Sequence, residues 1–95
     1  NGIELHVTDR DQLEPVALGL RLLSVLRDLH PHDFAWRPDP YEFVADVPVL
    51  DLLTGSPDAR LRIERGEPLD ELLNSWRAWV ENWEATLGGI LLYHV

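Results

Sequence analysis

The sequence predicts an α+β domain in which a small mixed β-sheet packs against two long and two short helices as a two-layer sandwich. Two patterns predict this class. Apolar residues alternate near the start and form a short run at the end, as in strands, and two long segments between them have apolar residues at helical spacing. The chain has 95 residues, of which 45% are hydrophobic. This size suits one core, so we expect residues 1–95 to form a single domain.

The strand predictions rest on three segments. Ile3, Leu5 and Val7 alternate with polar residues, which is typical of a half-buried first strand. Residues 41–44 alternate in the same way and predict a short central strand or a strand-like loop. Residues 90–93 are a continuous apolar run, short enough for a buried last strand.

Two long helices are predicted from apolar spacing. The first is expected from about Leu13 to Leu29, with capping oxygens from residues 8–11 and Pro15 in its first turn. The second is expected from about Pro68 to Leu87 and should dominate the core through one stripe of large apolar residues. This stripe consists of Leu69, Leu73, Trp76, Val80, Trp83 and Leu87.

Two short helices are predicted between the long ones. Residues 49–53 fit one or two helical turns that end at Gly55. The sequence Ser56-Pro57-Asp58 then reads as a fresh helix start with proline in the first turn, and Gly66 as its end.

Composition excludes several functions. With 17 acidic and 8 basic side chains the net charge is −9, so neither nucleic acid nor an anionic membrane surface is an expected partner. All the basic residues are arginines, which excludes lysine Schiff-base chemistry. The absence of cysteine excludes disulfides, thiolate metal sites and a cysteine nucleophile, and leaves the compartment open. No apolar run has the length of a membrane span.

No catalytic residue, metal site or cofactor is predicted. His30-Pro31-His32-Asp33 offers two imidazoles and a carboxylate, but its spacing matches no common zinc pattern, and a solvated loop at a helix end is the preferred interpretation. A catalytic Ser-His-Asp arrangement, a glycine-rich phosphate loop and a zinc-helix motif are all missing from the sequence.

Two loops carry the candidate substrate-binding residues. Asp9 and Arg10 follow the first predicted strand, and ligands in α/β proteins often lie outside strand ends. Helix capping is the alternative for Asp9, although it gives no role to Arg10. Tyr41 and Glu42 follow a proline-rich connector, which would hold a phenol and a carboxylate in place to bind a sugar hydroxyl. An ordinary surface loop explains this pair equally well.

The tryptophans divide into two groups. Trp76 and Trp83 lie on the predicted core stripe, so core packing is preferred over a sugar-stacking role. Trp79 lies beside the stripe, and it and Trp36 are the aromatic residues most expected to meet a ligand or a partner.

Several motifs in order resemble one family. They are Gly2 to Arg10, the helix from Pro15 to Leu29, Pro40-Tyr41-Glu42, Asp51 to Ser56, Trp76 and Leu91-Leu92-Tyr93. Together they resemble the C-terminal domain of the DUF1343 family, whose studied members are exo-β-N-acetylmuramidases of the NamZ type. Residues 85–89 depart from the pattern, because a more basic segment is expected there.

The resemblance implies a two-domain parent. In it, an N-terminal Rossmann-like half carries the catalytic acid, and the present C-terminal half lines one side of a cleft for a peptidoglycan-derived sugar, with no cofactor. Asp9, Arg10, Tyr41 and Glu42 are the substrate-binding candidates, while Asp51 and Gly55 are structural turn residues. The chain lacks methionine even at position 1, so we expect it to be part of a longer protein. Export of the parent to the periplasm or the cell exterior is one option for its location.

A rival interpretation is a non-enzymatic acidic protein-interaction domain. In it, Trp79, Trp36 and the acidic surface bind a protein partner, and the likeness to muramidases is one of fold alone.

Overall fold

The computed structural model describes residues 2–93, which form four helices. In chain order these are α1 (Pro15–Leu29), α2 (Val49–Thr54), α3 (Asp58–Arg65) and α4 (Asp70–Leu87). The two long helices begin two residues later than predicted and end at the predicted residues. Apolar periodicity therefore located the two long helices, and the proline and glycine signals located the two short ones.

The predicted mixed sheet is wrong, and with it the α+β two-layer sandwich. Between residues 2 and 93, β pairing is limited to one antiparallel bridge that joins Tyr41 and Val44. Ile3, Leu5 and Val7 are 61%, 53% and 50% exposed, and residues 90–93 are exposed as well. Alternation gives a segment one apolar face, but a strand also needs a neighbour for its backbone hydrogen bonds. Neither terminal segment has such a neighbour in the described part of the chain.

Three of the helix ends follow the local signals in the sequence. Pro15 lies in the first turn of α1, where its missing N–H costs no hydrogen bond. Gly55 and Gly66 end α2 and α3 with φ values of 81° and 68°, in the left-handed region that glycine adopts without strain. The predicted capping of α1 by residues 8–11 is wrong, because the cap residue is Glu14 and no side chain bonds the free amides there.

The short helix α3 lies at the centre of the core. Its Ala59 and Ile63 are 0% exposed. They cluster with Leu20 of α1 and with three leucines at the start of α4, namely Leu69, Leu72 and Leu73. Partly buried apolar side chains pack around this cluster from α1, α2, the loop before α2 and α4; they are Ala17, Leu23, Phe34, Trp36, Leu50 and Trp76.

Two ion pairs join the long helices. Arg21 Nη2 lies 2.8 Å from Asp70 Oδ1, and Arg77 Nη2 lies 2.8 Å from Glu14 Oε2. Arg77, which lies seven residues after Asp70 along α4, thus pairs with Glu14, the cap residue at the start of α1, whereas Asp70 pairs with Arg21 farther along α1. This order shows that α1 and α4 run antiparallel.

The apolar stripe of α4 is buried only in its first half. Leu69 and Leu73 belong to the core, whereas every residue from Arg77 to Thr86 is exposed. The prediction that Val80 and Trp83 join the core is therefore wrong. The reason is geometric: Arg77 pairs with Glu14 at the start of α1, so the rest of α4 extends beyond α1 by about 15 Å.

We predict that Ile63→Ala lowers the free energy of unfolding by about 2–5 kcal/mol, because it leaves a cavity between helices. Chemical denaturation followed by circular dichroism measures this change. Leu29→Ala, at an exposed position of α1, is the control and should cost less than about 0.5 kcal/mol. Equal effects of the two variants would contradict the assignment of α3 to the centre of the core.

Candidate functional site

A tight hairpin presents two of the predicted site residues. Tyr41 N–H donates to the Val44 carbonyl at 3.1 Å, and Val44 N–H donates to the Tyr41 carbonyl at 2.9 Å. The two residues between them, Glu42 and Phe43, have φ values of 51° and 66°. Left-handed φ at both central positions is typical of a type I′ turn, in which non-glycine residues are strained. The turn places Phe43 fully in solvent.

The hairpin borders the candidate site, a cavity of about 440 Å³. Tyr41 lines it from the hairpin, Leu50 and Leu53 line it from α2, and Arg60 lines it from α3. The rest of the lining comes from the loop residues Trp36, Arg37, Asp39, Pro40 and Pro48 and from Val49. A mainly apolar wall with a few polar groups is the usual character of a small-molecule site.

Arg60 is fixed at the cavity wall by two carboxylates. Its Nε donates to Asp51 Oδ1 at 2.8 Å and its Nη2 donates to Asp51 Oδ2 at 3.0 Å, which makes a bidentate pair between α2 and α3. Its Nη1 donates to Glu64 Oε1 at 3.2 Å, and the same oxygen accepts from Trp36 Nε1 at 2.8 Å. A continuous hydrogen-bonded network thus positions the arginine and an indole of the cavity.

The charges of this network are mutually stabilising. The side chains of Arg60 and Asp51 are only 20% and 10% exposed. The hydrogen bond with Asp51, followed by the hydrogen bond with Glu64, raises the pKa of the Arg60 guanidinium. Arg60 therefore stays a cation at every pH in which the protein is studied.

The four predicted site residues do not share one cavity. Tyr41 lines the 440 Å³ cavity, and Glu42 is exposed at the tip of the adjacent turn. Asp9 lines a separate hollow of about 320 Å³ near the start of the chain. Its Oδ1 accepts from the Asp11 N–H at 3.0 Å, so it stabilises a local turn. Arg10 is exposed beside it.

Sequence reasoning missed Arg60 and Glu64. Their i, i+4 spacing on a short helix was a usable signal, because such pairs lie on the same helix face. The position of Arg60 also depends on its pair with Asp51, a residue that was expected only to form a structural turn. Trp36, which was expected to meet a ligand or a partner, does line the cavity.

The chemistry of this site is that of binding. Aromatic rings of Trp36 and Tyr41 offer apolar surface, Arg37 offers an exposed cation, and Asp39 offers a carboxylate paired with Arg37 at 3.0 Å.

Among residues 2–93, no three or more His, Cys, Asp or Glu side chains are grouped so as to hold a metal ion. None of the helices described for these residues is both long and apolar enough to cross a bilayer.

Comparisons with known proteins place this chain in a family of C-terminal domains. A family model described as "Exo-beta-N-acetylmuramidase NamZ, C-terminal" matches residues 1–93. The chain belongs to this family. The peptidoglycan β-N-acetylmuramidase NamZ of Bacillus subtilis (strain 168) is 32% identical over 93 residues, which is 98% of this chain and 20% of that protein. The chain thus spans about a fifth of the length of this curated relative. No solved structure matches.

We predict that Asp51→Ala releases Arg60 from the cavity wall. In NMR spectra, the Arg60 Nε–H signal should exchange faster with water, and the melting temperature should fall, because one side of the bidentate pair is lost. Asp39→Ala is the control, since the Arg37–Asp39 pair is exposed and such pairs add little stability. An unchanged Arg60 signal in Asp51→Ala would contradict the role given to this pair.

Proposed function

We propose that this chain is the auxiliary C-terminal domain of an exo-β-N-acetylmuramidase that acts on peptidoglycan fragments. In this proposal, the parent has two domains. An N-terminal Rossmann-like domain supplies the catalytic acid, and the present domain completes the substrate cleft. The observation that carries the proposal is the family match over residues 1–93, which covers the whole described chain.

The relative from B. subtilis supports the substrate class. Its name states that it is a peptidoglycan β-N-acetylmuramidase, and its identity of 32% extends over nearly the full length of this chain. We carry the activity over to the parent of this chain as a whole. We do not assign it to the present domain, whose cavity holds no paired nucleophile and base in the described structure.

The cavity has groups that suit a muramic sugar. N-acetylmuramic acid has an apolar ring face, an acetamido group and a lactyl carboxylate. Trp36 and Tyr41 can contact the ring face or the acetyl methyl, and the guanidinium of Arg37 can pair with the carboxylate. The net charge of −9 opposes an anionic sugar over long distances, so the exposed Arg37 must supply the local attraction, because Arg60 is already paired with Asp51 and Glu64.

We retain Asp9, Arg10, Tyr41 and Glu42 as the proposed substrate-binding residues. Tyr41 is the best placed of them, because it lines the cavity directly. Glu42 follows it on the strained turn and is exposed, so a sugar held between this domain and a second one can reach it. Asp9 and Arg10 would line another part of the same cleft.

We predict that Tyr41→Phe, Glu42→Gln and Arg10→Ala each lower kcat/KM of the full-length parent on a chromogenic N-acetylmuramide about fivefold or more. Each change removes one hydrogen bond or charge contact to the sugar, which is worth about 1–3 kcal/mol. The melting temperature should stay nearly unchanged, because all three side chains are exposed. Residues 1–95 alone should give no turnover.

Matched controls are available within the chain. Tyr93→Phe, Glu71→Gln and Arg65→Ala make the same chemical changes at exposed positions that line none of the described cavities. They should leave kcat/KM unaltered. A loss of activity that follows a loss of stability would assign the tested residue a structural role, and turnover by residues 1–95 alone would refute the proposed division between domains.

A further inference from the structure

The exposed second half of α4 carries an apolar surface, which we name the tryptophan face. It consists of Trp79, Val80 and Trp83, which are 64%, 46% and 49% exposed, with Val16 of α1 beside them. The rings of Trp79 and Trp83 are stacked, with centroids 5.9 Å apart and planes 13° apart. The face is therefore a preformed surface of large, rigid side chains, the kind that dominates the energetics of protein interfaces.

Two grooves flank this face. One of about 300 Å³ is lined by Trp76, Trp79 and Val80 together with Leu53 of α2. The other, of about 570 Å³, runs along the contact between α1 and α4 and is lined by Trp76, Val80 and Val16. Side chains of a partner surface can pack into these two grooves.

The chain as a whole exposes more surface than a self-contained domain. Its accessible area is 8101 Å² for 10.9 kDa, whereas a compact monomer of this mass exposes about 5,600 Å². Its radius of gyration is 16.2 Å against about 12 Å for a compact chain of this length. Permanent interfaces bury about 1,000–2,500 Å² on each partner, so the excess of about 2,500 Å², to which the extended terminal segments also contribute, leaves enough surface for one.

We propose that the tryptophan face docks onto the part of the parent polypeptide that lies outside residues 1–95. This inference rests on the proposed function, in which the chain is one domain of a longer protein. The relative from B. subtilis is about five times as long as this chain, so a parent of that kind has ample surface to cover the face. The interface would hold the sugar cavity in place against the catalytic domain.

Charge favours this occupant over a second copy of the chain. Glu81 and Glu84 lie on the same exposed half of α4, and the whole chain has a net charge of −9. Two copies that met through this face would bring like charges together, which opposes association. A surface of the parent with apolar pockets and a basic rim satisfies both the tryptophans and the glutamates.

Cysteine labelling in the full-length parent tests this proposal, because residues 1–95 contain no cysteine of their own. Val80→Cys and Leu29→Cys are prepared separately and treated with a maleimide, and the labelled peptides are followed by mass spectrometry. Leu29 is the control, since it is an exposed apolar residue at the opposite end of α1 from the tryptophan face. Circular dichroism confirms that both variants are folded.

We expect Val80→Cys to be labelled at least tenfold more slowly than Leu29→Cys, at a ratio that does not change on dilution. Equal labelling rates would overturn the proposal. Slow labelling that is lost on dilution would also overturn it, because a second copy would then be the occupant. Muramidase activity of the unmodified parent is measured separately: its absence would refute the proposed function, while the labelling ratio would still decide whether the face is covered.

Discussion

Burial of one side of the eight-residue helix α3 is the constraint on which the structure depends. A helix of this length is unstable on its own, so α3 exists because Ala59 and Ile63 are enclosed by Leu20 and the leucines of α4. The adjoining position Arg60 is then held at the cavity wall, where it donates a hydrogen bond to Glu64 one turn later. One side of α3 thus packs in the core and the adjoining side lines the cavity. A change in core packing around α3 therefore alters the geometry of the cavity.

The arginines complete this arrangement. Arg27 Nη2 donates to the Glu64 carbonyl at 2.9 Å and ties α1 to the end of α3, while Arg60 ties α3 to α2. Planar guanidinium groups suit such links, because they make several directed bonds and remain charged when partly buried. Because the chain has no lysine, arginine is the basic residue that makes these links between helices.

The helices could be predicted from sequence, and the sheet could not. Helix signals are local: periodic leucines mark the interior of α1 and α4, and Gly55 and Gly66 mark the ends of α2 and α3. A strand is defined by its neighbour, and the alternation from Ile3 to Val7 carries no information about whether one exists. The prediction that the whole apolar stripe of α4 is buried failed for a related reason. Periodicity shows which side of a helix is apolar, but it does not show which part of the protein covers that side.

The family resemblance was confirmed, while the assignment of substrate-binding residues stays a prediction. Tyr41 was proposed because it follows a proline-rich connector, and it lines the candidate cavity. Arg60 was missed because its role arises from Asp51 on another helix and from Glu64, which also binds Trp36. The left-handed turn at Glu42 and Phe43 was also missed, since neither residue is typical of such a turn.

We propose that the cavity between the Tyr41 hairpin and Arg60 binds the sugar. Titration of the ¹⁵N-labelled chain with N-acetylmuramic acid, followed by NMR chemical shifts, tests it most directly. Our account predicts saturable shifts of the Tyr41–Val44 backbone amides and of the Arg60 Nε–H. The absence of shifts at high sugar concentration, or shifts confined to the tryptophan face, would contradict it.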